Sequence, residues 1–373
     1  MKPATNEPPR ILHVATRFRL GGAERNIVHF MEWERSFGFE VELAVGPDSQ
    51  TDSISDTVRI VPSLVRGVSP ALDFRAYREL VSLIGQRGYD MVHTHLSKAG
   101  VLGRLAARRR VPRIAHTVHM ASFGGGYGKV ATLVFRQAER TCAPITDVTA
   151  YVGRELRELY LANGIGTPNR SMVIHSPIDI DGFSETRSWN EARKLSVRRD
   201  LHLTTRGPVI VAIGTLAPRK RYELMIAKLA PLLIDSPVEL AIAGEGDATT
   251  LRHAAARFGV ERKVIVLGHL DDPTRLIGTA DLLVHTAAVE GVPQVVIQAL
   301  AAGKPVVATE VYGLREIQDA PIRIVPATGD GLADATRIEL EKPSRPISIE
   351  SFLPWKSSTI QREIAAFHGQ FHW

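Results

Sequence analysis

The chain holds a single cysteine, Cys142, among its 373 residues. One thiol can form neither an internal disulfide framework nor a cysteine-built zinc site, so a reducing cytoplasm is the expected setting. Long apolar runs are missing as well: none approaches the roughly 18 residues of a spanning helix. The opening stretch, MKPATNEPPR, is polar and proline-rich and lacks the apolar centre of a signal peptide, so no secretory leader is expected. No internal repeat and no low-complexity stretch is found. The Gly-x-Gly-x-x-Gly dinucleotide fingerprint is absent. So is any basic stripe interleaved with aromatics, which sets nucleic acid aside as a partner.

What is present reads as an ordinary globular protein, 44% hydrophobic and 23% charged, long enough for two cores. The net charge of +6 is unevenly placed: residues 1–184 hold 23 Lys and Arg against 18 Asp and Glu, the remainder 23 against 22. Arg104, Arg108, Arg109, Arg110 and Arg113 form the densest basic cluster, with Arg17, Arg19 and Arg25 elsewhere. The plain reading is a solvated helix face. The sharper one is contact with an anionic inner leaflet, worth about 1 kcal/mol per basic side chain. That would make the protein cytoplasmic and peripheral at the inner membrane.

Short β-branched runs alternate with helical patterns throughout. Strands are expected at 11–16, 41–45, 91–95, 113–118, 148–152 and 172–175, then at 209–213, 239–243, 264–267, 281–284, 305–308 and 322–325. Helical stretches include 71–86, 222–233 and 249–258. Strands alternating with helices predict an α/β protein with parallel sheets covered on both faces. The pattern breaks within 176–206, at Pro177, Gly182 and a charged run. This divides the chain into domains at 1–184 and 185–352, with a final helix at about 353–373. Two Rossmann-like domains place ligands at the carboxyl ends of their strands.

The most informative block is 285–307. An apolar run, 281–284, ends at a turn presenting one acid, Glu290, and Pro293 then opens a helix. Proline is pre-set for a first helical turn, and the bare N–H groups of a helix start bind phosphate. Gln298 follows about one turn later. Carboxylate, helix N-terminus and amide together suit a sugar joined to a diphosphate.

Other loops follow strands in the same way. Gly21 and Gly22, after Arg17 and the first strand, allow close approach of a ligand to the backbone, with a helix expected from about Ala23. Glu24 serves that helix start or a ligand equally well. His93 and His95 lie on one strand; their rings are expected on opposite faces, which argues against a shared metal. His119 stands at a strand's carboxyl end, before a loop whose glycines 124–126 suit a mobile cover. Arg219, Lys220 and Arg221 follow the first strand of the second half. Asp179 and Asp181 form an Asp-x-Asp, a metal-binding pattern elsewhere, but far in sequence from any phosphate loop.

The Glu290 block resembles the signature of the retaining GT-B glycosyltransferases of family 4, Glu-x7-Glu before Ala-x-Ala-x-Gly-x-Pro-Val-Val. Glu290 matches the first acid; Gln298 replaces the second, an amide that hydrogen-bonds a ribose diol without adding charge. Gly-Gly-Ala-Glu at 21–24, the His-x-His…Lys-Ala-Gly…Gly-Arg-Leu-Ala-Ala run at 93–107, and Asp179 and Phe183 leading out of the first domain are similar to further family segments. Thr215 stands where the family carries an arginine of its diphosphate clamp, and Lys220 matches the lysine. Arg219 or Arg221 would supply the missing charge. Met120 replaces a glycine after His119. Segments 241–247 and 266–271 resemble the strand ends lining the base pocket, and 309–316 resembles the family's Gly-Gly-x-x-Glu turn, with Tyr312 in place of the first glycine.

The resemblance implies a GT-B fold, two Rossmann-like domains facing each other across a cleft, and a final helix packed back on the first. It implies transfer of a sugar, with retention and without metal or other cofactor, from a nucleotide-diphosphate sugar of UDP or GDP type. The acceptor is a glycan or a lipid-linked glycan in polysaccharide or lipopolysaccharide synthesis. His119, Glu290 and Lys220 would be catalytic. Gly21, Gly22, Arg219, Lys220, Glu290, Gly291, Val292, Pro293, Gln294 and Gln298 would hold the donor. His95, Lys98 and Arg17 would shape the acceptor side. No second carboxylate stands out as a nucleophile, which argues against a double displacement. The competing readings are a nucleotide-sugar-binding protein without turnover, suggested by Thr215, Gln298 and Met120, and a nucleotide-sugar epimerase.

Overall fold

The structure is a computed structural model that describes residues 7–19, 21–51, 54, 57–124, 127–203, 206–317, 320–371 and 373. The chain divides into two compact units, 1–177 with 357–373, and 178–356.

The first unit is built on a parallel sheet of β1 (Arg10–Ala15), β2 (Glu40–Val45), β3 (Val58–Ile60), β4 (Met91–His95), β5 (Arg113–Val118), β6 (Val148–Tyr151) and β7 (Ser171–Val173). The order is β3-β2-β1-β4-β5-β6-β7. The chain reverses its direction of winding between β1 and β4, the switch point where such sheets open a crevice. Alternation along β1 sends Leu12 and Val14 to one face, against Leu80 and Ile84 of helix Pro70–Arg87. Ile11 goes to the other, against Phe30 of helix Gly22–Ser36 and Ile364 and Phe367 of helix Ser357–Gly369. His13 shares that second face.

Helix Pro70–Arg87 shows why a local sequence folds as it does. The Ser69 hydroxyl accepts from Leu72 N at its start, Pro70 sits in the first turn, and Gly88 ends it at φ 64°. The three-residue edge strand β3 was not expected; it is too short, and too polar around Arg59, to show a strand pattern.

The second unit holds β8 (Val209–Ile213), β9 (Glu239–Ala243), β10 (Val264–Gly268), β11 (Leu282–His285), β12 (Val306–Thr309) and β13 (Ile322–Val325), all parallel. Their order, β10-β9-β8-β11-β12-β13, is the Rossmann arrangement, with its switch point between β8 and β11. Val209 and Val211 face one core layer and Ile210 and Ala212 the other, so β8 is buried on both sides.

The break between units falls after Pro177, seven residues ahead of the expected boundary at 184. Ile178, Ile180 and Phe183 are the reason: all three are buried in the core of the second unit. The stretch Ile349–Trp355 also belongs there, burying Phe352 and Trp355, so the terminal helix of the first unit starts at Ser357. Among the described residues no helix is long and apolar enough to cross a membrane.

Candidate active site

In the second unit the chain leaves β8 through Gly214, at φ 147°, and turns through Pro218–Lys220 before helix Tyr222–Asp235. The loop after β11 carries Glu290. Arg221 ties the two loops together: its guanidinium donates to Thr286 O at 2.7 Å, Ala327 O at 2.7 Å and Thr309 Oγ1 at 2.9 Å. The Thr286 hydroxyl donates back to Lys220 O at 2.9 Å, and Ala288 N to Arg219 O at 2.8 Å. Arg221, one of the two candidates for the replacement charge, is thus engaged in holding the loops. Arg219, the other candidate, has its Nη1 3.9 Å from Glu290 Oε2.

Glu290 is buried, and three groups converge on it: Lys220 Nζ at Oε1, His285 Nε2 at 3.6 Å, and Arg219. Burial works to raise its pKa, but Lys220, His285 and Arg219 together overcome that and hold it below the ordinary carboxylate value. Burial, aided by Lys220, pushes His285 down to about 4, so this ring is neutral at pH 7. The cluster is a fixed anion with two cations beside it.

The helix after Glu290 runs Gln294–Ala301, with Pro293 as the N-cap at ψ 90° rather than inside its first turn. Gln294 and Gln298, one turn apart, are its two partly exposed residues, while the other six are buried. Gly291 and Val292 lie against the turn at Gly313: a Cβ on Gly313 would sit 2.2 Å from Gly291 O, and its φ is 84°. That packing, from the segment 309–316, supports the Glu290 loop. Thr215 is exposed and its carbonyl accepts from Ala217 N.

In the first unit Gly21 is the extended N-cap of helix Gly22–Ser36, one residue before the expected start. A Cβ on Gly21 would lie 2.7 Å from Glu24 Oε2, so that carboxylate sits over the helix start, where the helix dipole favours it. Arg17 is partly buried in the preceding loop. Lys98 is engaged by Asp73 Oδ1 at 2.5 Å and by Gly67 O, holding helix Pro70–Arg87. Glycines 125 and 126 of the expected cover lie outside the described residues.

The rings of His93 and His95 do not point to opposite faces. Their centroids are 4.4 Å apart, because residues two apart on a strand share a face. His13 faces His93 across the β1–β4 register and joins them. His13 Nδ1 lies 2.8 Å from His95 Nε2, and His95 Nδ1 lies 3.1 Å from His119 Nε2. At the far end Glu34 bridges His13 Nε2 at 2.6 Å and His368 Nε2 at 2.9 Å. His95 is fully buried, with its Nδ1 turned to His119. Sequence reasoning missed His13, Glu34, His285 and His368. The one available signal was that His13 and His93 fall on adjacent strands at matching register.

Asp179 caps helix Ile180–Glu185, accepting from Gly182 N at 3.0 Å, and Asp181 pairs with Lys356 at 2.7 Å. Both have structural partners. The basic cluster is also split. Arg104 is buried against Glu139 at 2.7 Å, and Arg113 lies over the Trp373 ring at 4.5 Å. Only Arg108, Arg109 and Arg110 of the five are exposed.

Comparison with known proteins bears on this geometry. The profile of Glycosyltransferase Family 4 matches residues 20–181, and that of Glycosyl transferases group 1 matches 207–341. The UDP-Gal:alpha-D-GlcNAc-diphosphoundecaprenol alpha-1,3-galactosyltransferase of Escherichia coli is 27% identical over 320 residues, 83% of this chain and 81% of that protein. The GDP-mannose-dependent alpha-mannosyltransferase of Mycobacterium tuberculosis is 27% identical over 341 residues, 83% and 81% of the two chains. The structure of Anabaena HepE in complex with UDP and glucose superposes with a TM-score of 0.78 at 18% identity, covering 96% of this chain and 99% of that one. The two profiles take in most of both units, and the chain is a GT-B glycosyltransferase related to the family-4 and group 1 enzymes.

Proposed function

We propose that the protein transfers a sugar from a nucleotide-diphosphate donor of UDP or GDP type, with retention at the anomeric carbon, to a glycan or lipid-linked acceptor in cell-surface polysaccharide synthesis. The observation that carries this reading is the convergence of Lys220, Arg219 and His285 on Glu290, at the carboxyl ends of β8 and β11 beside the switch point. An incoming diphosphate competes for Lys220 and Arg219 and frees the Glu290 carboxylate to accept from sugar hydroxyls. As the glycosidic bond stretches, the leaving diphosphate gains charge. Lys220, Arg219 and the N–H groups at the start of helix Gln294–Ala301 are the donors of the second unit that stabilise it. One helix N-terminus contributes at most about 2 kcal/mol, so several donors must act together. In this reading the two cations do the work of a divalent ion, and the departing phosphate takes the acceptor's proton on the same face.

The domain division at 184 and 352, adjusted to 177 and 356, gives the first unit to the acceptor and the second to the donor. Helix Lys129–Cys142 supports a membrane-borne acceptor. It exposes Val130, Leu133 and Val134, with Lys129 and Arg140 also exposed on it. The E. coli relative's name specifies a diphosphoundecaprenol-linked acceptor. Apolar side chains beside basic ones suit an anionic leaflet.

The test is transfer from UDP- and GDP-sugars to undecaprenyl-diphosphate glycans, in magnesium and in EDTA, with the product's anomeric configuration read by NMR. Retention in EDTA supports the reading; inversion, or strict metal dependence, contradicts the mechanism. Exposed Thr215 and the Gln298 amide favour one second reading, a nucleotide-sugar-binding protein without turnover, which predicts donor binding and no product.

A further inference from the structure

Glu34, His13, His95 and His119 form one continuous hydrogen-bonded chain from the interior of the first unit to the carboxyl end of β5, with contacts of 2.6, 2.8 and 3.1 Å. His13 and His95 each use both nitrogens, and His119 Nδ1, the last, is buried without a hydrogen-bond partner among the described residues. We infer that Glu34 fixes, through His13 and His95, the proton position on His119, leaving His119 Nδ1 as a bare lone pair that accepts a hydrogen bond from substrate. Glu34, His13 and His95 are then positioning residues for His119.

The logic is a matter of counting protons. An ionised carboxylate only accepts, so His13 Nε2 carries hydrogen. A neutral His13 then has a bare Nδ1, which requires the hydrogen on His95 Nε2. His95 Nδ1 is bare in turn, and the contact to His119 requires hydrogen on His119 Nε2. Burial favours this order by keeping the rings of His95 and His119 neutral. His95 is held well below the ordinary histidine range by burial and by its neighbours His93 and His13, and His119 is pushed down to about 4 by burial. Glu34 is held ionised: burial opposes this, but His13 and His368 outweigh it.

His13, His93 and His95 also bring one ring nitrogen each within 4.8 Å, as a metal site would. Two nitrogens on one tetrahedral zinc stand about 3.3 Å apart, given bonds of about 2.0–2.1 Å. The 2.8 Å between His13 and His95 is instead a hydrogen-bond distance.

The catalytic consequence rests on the sugar-transfer reading, but the proton position does not. Nitrogen-15 NMR of the full-length, histidine-labelled protein reads it directly, with His119 assigned by its loss in His119→Asn. The parent is expected to show His119 Nε2 protonated and Nδ1 bare. In Glu34→Gln the amide can donate as well as accept, so His119 should become a mixture of tautomers. Turnover should then fall about tenfold, the worth of one hydrogen bond, with donor-nucleotide affinity unchanged. Should Glu34→Gln lose its fold by circular dichroism, His95→Phe cuts the chain while keeping a ring in place and should mix the tautomers in the same way. A protonated His119 Nδ1 in the parent overturns the inference, as does an unaltered His119 in the folded variant. So does a zinc-dependent displacement of the His13, His93 and His95 signals. A parent that transfers no sugar from any donor sinks the sugar-transfer reading alone, because the spectra still decide the relay.

Discussion

The Lys220 ammonium rests on the Glu290 carboxylate, and both side chains are only 11% exposed. A buried ion pair is costly to assemble and more costly to break, because either partner alone is an uncompensated charge. Its placement beside the switch point ties the stability of the second unit to the group we assign to the diphosphate. Lys220→Ala should therefore destabilise the protein by about 3 kcal/mol and abolish donor-nucleotide binding. Urea unfolding and calorimetric titration with UDP and GDP measure the two effects separately. A variant that binds donor as well as the parent would remove Lys220 from the clamp.

The depressed histidines predict a pH dependence of stability. His119 and His285 have folded values of about 4 against an ordinary 6.5, so between these limits the unfolded chain binds protons that the folded one does not. Stability then falls as pH drops from about 6.5 towards 4, by up to about 1.4 kcal/mol per pH unit for each histidine. His285→Gln should flatten that slope. Glu290 acts lower down: its folded value is depressed, so its contribution is complete above the unfolded value of 4.5 and is lost below it as pH falls through the folded value. Equal slopes for parent and His285→Gln across pH 4 to 6.5 would contradict the assignment.

Gly313→Ala tests the support of the Glu290 loop. The new methyl would meet Gly291 O at 2.2 Å, at a backbone φ of 84°. The expected cost is about 1–3 kcal/mol, with weaker donor binding because the neighbouring Glu290 loop must shift. A Tm and a nucleotide affinity both equal to the parent's would show that the loop is not braced in this way.

The exposed apolar residues of helix Lys129–Cys142 make a separate prediction. Replacing Val130, Leu133 and Val134 by serine should weaken flotation with anionic vesicles by about tenfold or more, since each loses buried apolar area of order 1 kcal/mol. The fold and transfer to a water-soluble acceptor analogue should be unaffected. Unchanged vesicle binding would leave the helix without this role.

The meeting of Lys220 with Glu290 could be expected because each lies in a loop that follows a recognisable strand of the second unit. The strand positions could be read from short apolar runs alternating with helical patterns, except for β3. What stayed hidden depends on partners distant in the chain. Arg104 reads as one of a row of surface arginines, but the fold turns it inward to Glu139, 35 positions away. Glu34 meets His368 across 334 positions, on helices whose own periodicity announces only buried faces. The geometry of His93 and His95 was within reach, since a spacing of two places both rings on one face.

The most direct measurement of the central claim is calorimetric titration of the parent and of Lys220→Ala with UDP, GDP and their common sugar conjugates, in magnesium and in EDTA. The account predicts selective binding of one nucleotide's conjugates by the parent, undiminished in EDTA, and none by the variant. Binding that requires magnesium, or that survives the loss of Lys220, would contradict the clamp on which the proposed mechanism depends.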